Sequence, residues 1–249
     1  MSVGGSWAGT GIPAAVASAL YDSANRITTW NGASLANDLN GNLASDGLTS
    51  YTWNARNQLI GVSGGVSASF AYDGVGQRRT RTTSGSTSYL YDGANATQEL
   101  VGGSPTANVL SGGVDEVFQR TDGSGTRAVL TDALGSTVAL VRIRRGADAI
   151  HVRPFGATTV SGAASTNPAQ FTGRENDGGD LYFYRARYRS QSTGQFISED
   201  RAGFVDGSNL YSYVGDAPTN FTDPGGGPSR CRARFTLRNR VASQSGGYS

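Results

Sequence analysis

The chain has 249 residues, with 36 glycines and a formal net charge of +2. Its single Cys and single His exclude an internal disulfide framework, a cysteine-based zinc site and a multi-histidine site, so we expect no cofactor and no metal. No apolar run approaches the ~20 residues that a membrane-spanning helix needs, and we predict no transmembrane segment. All 21 basic residues are Arg and they are spread along the chain, so no nucleic-acid partner is predicted.

The first segment, residues 1–20, is rich in Gly, Ala and Ser and shows no clear period. We predict a disordered or frayed lead-in there. No basic region precedes its weakly apolar stretch, so the segment does not predict a signal peptide.

Residues 21–140 contain a degenerate repeat that begins with an aromatic residue and a turn-forming Asp or Asn. Successive tyrosines at Tyr21, Tyr51, Tyr72 and Tyr91 are 30, 21 and 19 positions apart, and a period near 20 residues is typical of repeat proteins. Each unit continues with Gly or Asn, a basic residue and an apolar residue, a pattern typical of a β-hairpin with an Asp-x-x-Gly or Asn-Gly turn. We therefore predict an all-β strip of antiparallel hairpins.

Residues 141–227 form the second predicted unit and are rich in tyrosine. Leu181–Tyr188 reads as one strand, in which Arg185 and Arg187 would share a face. Asn209–Val214 also alternates in the manner of a strand. His151 is interpreted as a structural residue rather than a catalytic one.

Two Asp-containing turns lie near the end of this unit. Asp200 opens Asp-Arg-Ala-Gly, and Asp223 opens Asp-Pro-Gly-Gly 23 positions later. A strand–turn–strand path from Arg187 would return Asp200 beside its guanidinium, which would hold and orient the carboxylate. Two such turns could bring both carboxylates together, and paired carboxylates support acid–base hydrolysis. The alternative is that both Asp residues only close turns.

A family resemblance extends over much of the chain. ARYRSQSTGQFISEDRAGF, followed by NLYSYVGDAPTNFTDPGG, resembles the RHS repeat-associated core domain, and the upstream Tyr-Asp units resemble YD repeats. The resemblance implies an all-β fold, a YD-repeat antiparallel β-hairpin strip that is part of a hollow RHS-type β-shell. It implies that residues 141–227 are the RHS repeat-associated core, and that the shell encapsulates a polymorphic toxin or secreted effector.

The resemblance also implies self-cleavage, so that the chain is at most an autoproteolytic aspartyl peptidase. The catalytic positions that match the family pattern are Arg187, Asp200 and Asp223. The implied cut lies just after Gly227, between it and Pro228.

Three departures from the family pattern predict that cleavage is slow or lost. Arg189 and Ser190 follow Tyr188 where the family has Tyr-Asp-Pro. Arg201 stands where the family has Pro after the first Asp, which frees the backbone of that turn. Gly227 stands where the family has an apolar residue, so the segment to be cut lacks a side chain to anchor it.

The last segment, residues 228–249, contains five arginines and no acidic residue. It is too short to build a core unaided, and we predict a disordered, basic variable tail.

The resemblance implies partners and a location as well. The expected partners are the remainder of an RHS shell or the chain's own C-terminal toxin region, with an immunity protein as a further partner. The protein is expected to be secreted or displayed at the cell surface, through a dedicated secretion system. Two alternatives stay open: a non-enzymatic structural or cell-surface YD-repeat protein, and a carbohydrate-binding β-module that uses Trp30 or Trp53.

Overall fold

A computed structural model describes most of the chain. The described residues are 15–142, 145–152, 156, 158–161, 166–227 and 231–232. Most of the predicted lead-in, Pro228 and nearly all of the predicted basic tail therefore lie outside the described residues. So does the side chain of His151, of which only the strand backbone is described.

Strands make up nearly all of the regular structure, as predicted. Among the described residues there are 22 strands, together with three short 3-10 helices at Phe171–Gly173, Phe204–Asp206 and Val214–Asp216. The first three strands form a small antiparallel sheet in the order β1-β2-β3. They are β1 (Ala19–Tyr21), β2 (Ile27–Trp30) and β3 (Ala33–Ser34).

A long antiparallel meander follows, and it is the predicted strip of hairpins. In the described part of the chain it is a sheet of 14 strands, each hydrogen-bonded to its neighbours in sequence. Its strands are β4 (Ala36–Asn37), β5 (Leu43–Ser45), β6 (Thr49–Trp53), β7 (Leu59–Gly64), β8 (Ala68–Tyr72), β9 (Arg78–Thr82), β10 (Ser86–Asp92), β11 (Asn95–Val101), β12 (Ser104–Ser111), β13 (Val117–Asp122), β14 (Gly125–Thr131), β15 (Thr137–Arg142), β16 (Arg145–Val152) and β17 (Thr158–Ser161).

A compact three-stranded sheet lies against the meander. It consists of β18 (Glu175–Gly178), β19 (Leu181–Tyr184) and β20 (Arg187–Ser190), paired in that order. The last described strands are the short pair β21 (Phe221–Thr222) and β22 (Cys231–Arg232).

One turn chemistry recurs along the repeats and explains their sequence signature. An Asp or Asn side chain accepts backbone N–H bonds from the residues two and four positions later; for Asp73, these donors are Val75 and Gln77. The fourth turn residue has positive φ, which Gly and Asn tolerate best. Such turns start at Asp22, Asp38, Asn54, Asp73 and Asp132, with Asn25, Gly41, Asn57, Gly76 and Gly135 at the fourth position.

Three aromatic side chains that precede hairpin turns bond to the strand before their own. The Tyr72 hydroxyl donates to the Leu59 carbonyl at 2.8 Å, and the Tyr91 hydroxyl donates to the Arg78 carbonyl at 2.8 Å. The Trp53 indole N–H makes the equivalent bond to the Leu43 carbonyl at 2.7 Å. In these three repeats the aromatic side chain therefore ties its strand to the strand before it.

The main core lies between the meander and the three-stranded sheet. All four residues of β19 are buried, because its two faces pack in opposite directions. Leu181 and Phe183 join one cluster with meander residues such as Leu59 and Phe70. Tyr182 and Tyr184 join a second, which contains Phe171, Phe196, Tyr213 and Val214.

A buried arginine links the two layers electrostatically. Arg78 in β9 has no exposed side-chain surface and forms ion pairs with Glu175 and Asp177 of β18. Its guanidinium lies 4.1 Å from the centre of the Phe183 ring and donates to the Tyr188 hydroxyl at 3.0 Å. These contacts fix the three-stranded sheet on the meander.

Two of the predicted strands are wrong. Leu181–Tyr188 is not one strand, because Arg185 takes a left-handed conformation with φ of 61° and turns the chain between β19 and β20. Asn209–Val214 is not a strand either, since Val214 also has positive φ and begins a 3-10 helix.

Candidate functional site

Three segments converge beside the second aromatic cluster. Arg187 begins β20, Asp200 opens the Asp200–Gly203 turn, and Asp223 opens the turn that ends at Gly226. The hairpin from β20 through Gly194 returns the chain antiparallel, with the Ile197 N–H bonded to the Tyr188 carbonyl at 3.0 Å. This local return carries Asp200 back toward Arg187, by the path that the sequence predicts.

Arg187 is the centre of the convergence. Its Nη2 donates to Asp200 Oδ2 at 2.9 Å and lies 3.9 Å from Asp223 Oδ2. The two carboxylate oxygens are therefore at most 6.8 Å apart, the sum of these two distances. The structure brings the three predicted residues together, while their catalytic role stays a prediction.

The rest of the Arg187 guanidinium is also engaged. Nε donates to the Gly226 carbonyl at 2.6 Å, and Nη1 donates to the Leu210 carbonyl at 2.9 Å. The guanidinium carbon lies 3.6 Å from the centre of the Phe196 ring, a cation–π contact. Several hydrogen bonds from a planar guanidinium hold it in one orientation, which a lysine side chain could not reproduce.

Asp223 is almost completely buried and forms the cap of its own turn. Its Oδ1 accepts backbone N–H bonds from Gly225, Gly226 and Gly227 at 3.1, 2.8 and 3.3 Å. Burial raises the pKa of this carboxyl, and the Arg187 charge and the three N–H bonds oppose that rise without cancelling it. Asp223 therefore keeps its proton to a higher pH than an exposed Asp does.

Asp200 closes its turn without the proline of the family pattern. Its Oδ1 accepts the Ala202 N–H at 2.9 Å, and its carbonyl accepts the Gly203 N–H at 3.0 Å. The exposed Arg201 occupies the position of the missing proline without opening the turn.

A small cavity of about 20 Å³ lies among Arg187, Asp200, Asp223 and Gly227. A space of this size holds about one water molecule. Gly227 is the last described residue before the predicted cut. The two carboxylates thus border a water-sized space next to the bond that the resemblance marks.

Gly226 packs more tightly than sequence reasoning anticipated. It has φ of +65°, and a Cβ built on it would lie 2.4 Å from the Tyr184 carbonyl oxygen. Only glycine fits such a position. The Gly226 and Leu210 carbonyls and the Phe196 ring are also contacts of Arg187 that the sequence analysis missed, because backbone acceptors and cross-hairpin rings leave no motif.

The tryptophans of the carbohydrate-binding alternative occupy different environments. Trp53 packs against the main core, with its indole N–H bonded to Leu43. Trp30 lines a cavity of about 180 Å³ together with Tyr51 and Phe196. No helix among the described residues has the length and apolar character to cross a bilayer.

Comparisons with known proteins place this geometry in context. No family model matches the chain. It is 28% identical over 231 residues to tRNA nuclease WapA of Bacillus subtilis (strain 168), a match that covers 84% of this chain and 10% of that protein. Over 78 residues it is 40% identical to toxin subunit YenC2 of Yersinia entomophaga, covering 29% of this chain and 8% of YenC2.

The fold is shared with a solved toxin complex. The crystal structure of TcdB2-TccC3-Cdc42 aligns with a TM-score of 0.64 at 21% identity, over 77% of this chain and 11% of that chain. The chain spans about a tenth of the length of the first curated relatives that it matches. What those whole proteins do is therefore a separate question from what this segment does.

Fold and sequence matches together define an RHS-type β-shell protein. Within that class, the chain is similar to the RHS-type toxins WapA and YenC2, and these likenesses support the RHS repeat-associated core that the resemblance predicts.

Proposed function

We propose that this chain closes the C-terminal end of a toxin-enclosing RHS shell and cuts its own backbone after Gly227. The observation that carries the proposal is the single guanidinium of Arg187, which contacts Asp200 and lies 3.9 Å from Asp223 beside the candidate cleavage segment. The toxin-associated role is supported by relatives named as a tRNA nuclease and a toxin subunit.

The proposed reaction is hydrolysis by two carboxyl groups in different roles. Asp200, ion-paired with Arg187, takes a proton from water, and the resulting hydroxide adds to the Gly227 carbonyl carbon. Asp223, whose pKa burial raises, donates its proton toward the carbonyl oxygen as charge develops there. The C–N bond to Pro228 then breaks as Asp200 passes the proton that it took from water to the prolyl nitrogen. The proton on the former carbonyl oxygen returns to Asp223, and Gly227 becomes a new carboxylate terminus.

The surroundings of the site suit a single slow turnover. The cavity has room for about one water, and Asp223 holds three consecutive glycine amides in place. Gly227 offers no side chain to anchor the segment, so we expect cleavage to be slow.

The partners and location follow from the same proposal. The remainder of an RHS shell and the chain's own C-terminal region are the expected partners, and an immunity protein would protect the producing cell. The protein is proposed to be exported to the cell surface or beyond by a dedicated secretion system.

Intact-mass measurement of the purified full chain tests the cleavage. Wild type is expected to lose residues 228–249 over time. Asp200→Asn and Asp223→Asn should each slow this loss by about 10²–10⁴-fold, the usual contribution of a general acid or base. Asp216→Asn, which changes an exposed Asp in a nearby 3-10 helix, is the matched control and should cleave like wild type.

Two results would count against the proposal. Cleavage that persists in Asp223→Asn would reject the two-carboxylate mechanism. A wild-type chain that stays intact would leave the non-enzymatic shell segment as the function.

A further inference from the structure

The corner between β19 and β20 holds the candidate cleavage turn at successive carbonyls. Arg185 donates through Nη1 to the Pro224 carbonyl. The backbone N–H of Ala186 donates to the Gly225 carbonyl at 3.1 Å, and Arg187 Nε donates to the Gly226 carbonyl at 2.6 Å. Three consecutive residues thus bind three consecutive carbonyls, while Asp223 binds the amides that follow.

Arg185 adopts an unfavourable backbone conformation at this corner. Its φ of 61° lies in the left-handed region, where Gly and Asn are comfortable and a long side chain is uncommon. A residue kept in such a conformation points to a role for its side chain. The contacts of that side chain identify the role.

The Arg185 guanidinium is tied to two hairpins of the meander. Nε donates to the Ala94 carbonyl at 3.0 Å, in the turn between β10 and β11. Nη2 donates to Asp115 Oδ1 at 2.7 Å, in the connection between β12 and β13, and to Asn95 Oδ1 at 3.3 Å. The side chain therefore bridges the meander and the Pro224 carbonyl.

Arg174 completes the arrangement from the other side. It forms an ion pair with the same Asp115 oxygen, and its Nη1 donates to the Pro224 carbonyl at 3.4 Å. Burial and the like charge of Arg185 lower the pKa of Arg174. Arg174 is buried and Arg185 is partly buried. Two such guanidinium groups that share one carboxylate need further acceptors, and the Pro224 carbonyl supplies one to both.

We propose that Arg185 and Arg174, anchored by Asp115, are positioning residues that hold the Pro224 carbonyl and so fix the Asp223 turn against Arg187. The inference rests on the proposed self-cleavage, which it deepens. It makes cleavage depend on the docking of the β10–β11 and β12–β13 hairpins onto the core, because the anchoring groups belong to those hairpins. A core without its meander would hold the turn loosely.

Arg185→Asn is the sharpest variant, because Asn relieves the left-handed strain while it removes the guanidinium. Asp115→Asn is the second variant; Asp115 has φ of 66°, which Asn also tolerates, so the anchor loses its charge without a backbone penalty. Arg185→Lys keeps the charge and loses the planar fork. Arg79→Asn is the control, because it removes the same positive charge as Arg185→Asn from an exposed residue of β9.

Two measurements on the full chain separate this inference from the proposed function. The first is the rate of peptide loss by intact mass. The second is amide hydrogen exchange at Gly225, Gly226 and Gly227 by NMR, in the cleavage-impaired Asp200→Asn background. If wild type does not cleave, the proposed function fails. The rate of amide hydrogen exchange then still tests, independently of cleavage, whether the two arginines hold the turn.

We expect Arg185→Asn to speed exchange at these glycines by roughly tenfold and to slow cleavage on the order of 100-fold, as displaced catalytic geometry does. Asp115→Asn should act in the same direction, Arg185→Lys should restore part of the loss, and Arg79→Asn should change neither. Unchanged exchange at the three glycines would overturn the inference. So would acceleration spread evenly over the meander, or wild-type cleavage in a variant whose turn has loosened.

Discussion

At the residue scale, Arg187 shows how one side chain can organise a site built from distant segments. Its donors reach a carboxylate at Asp200 and the carbonyls of Leu210 and Gly226, and its face covers Phe196. A buried guanidinium requires this many acceptors to offset the loss of water. The same requirement draws the Asp223 turn toward it.

The buried carboxyl of Asp223 predicts a pH-dependent stability. The pKa of Asp223 is higher in the folded chain than in the unfolded chain, where it is near 3.8. The stabilisation that Asp223 gives the fold is therefore fully present below pH 3.8 and is lost as the pH rises through the folded-state pKa. Asp223→Asn keeps an Oδ1 acceptor for the glycine amides and has no proton to lose. We therefore expect the variant to gain stability over uncleaved wild type as pH rises through this window, by about 1.4 kcal/mol for each pKa unit of the shift.

Chemical denaturation between pH 3 and pH 8 measures this difference. Asp223→Ala is the control, because it deletes the acceptor as well as the proton and should be about 1–3 kcal/mol less stable than Asp223→Asn at every pH. If the free energy of unfolding of wild type instead rose relative to that of Asp223→Asn with increasing pH, the attraction of Arg187 for the Asp223 carboxylate would outweigh the cost of burying it.

At the element scale, the hairpins are determined locally and their docking is not. The Asp or Asn that opens each turn and the Gly or Asn at its fourth position are readable in the sequence, so the meander could be predicted. Arg78 could not be singled out among 21 basic residues. Its burial depends on Glu175 and Asp177, which lie nearly 100 positions further along the chain.

Neighbouring arginines in β9 allow a direct test of that docking. Arg78→Ala leaves the buried Asp177 side chain without its strongest partner, and we expect the free energy of unfolding to fall by about 3–5 kcal/mol. Arg79→Ala alters an exposed residue of the same strand and should stay within about 0.5 kcal/mol of wild type. Equal effects of the two substitutions in urea denaturation would contradict the role given to Arg78.

At the scale of the whole molecule, the described sheets have unpaired edges. Strands β4 and β17 end the 14-stranded sheet, and β1 ends the small sheet, each with one partner among the described strands. Open strand edges offer free N–H and C=O groups to another chain. In a longer shell, further repeats would cover such edges.

We therefore expect the isolated chain to self-associate in a concentration-dependent manner. Leu20→Lys places a charge on the exposed face of edge strand β1 and should weaken the association. Val75→Lys places the same charge on a more exposed apolar residue, in the turn between the interior strands β8 and β9, and should have little effect. Sedimentation velocity over a range of concentrations measures both, and equal effects would assign the association to general hydrophobicity.

The sequence by itself determined the strand-rich class, the hairpin turns and the identity of the candidate residues. These depend on short-range chemistry: an Asx side chain bonded two and four residues ahead, or a Gly where φ is positive. It also predicted the return of Asp200 to Arg187, since only one hairpin separates them.

Only the tertiary structure decided which carbonyls Arg187 binds, that Arg185 turns the chain, and that Asp115 supports the Pro224 carbonyl from 109 positions away. Such contacts join distant segments, and several of them end on backbone carbonyls, which every residue carries. Their pairing is set by how the layers pack, and no local pattern of side chains encodes it.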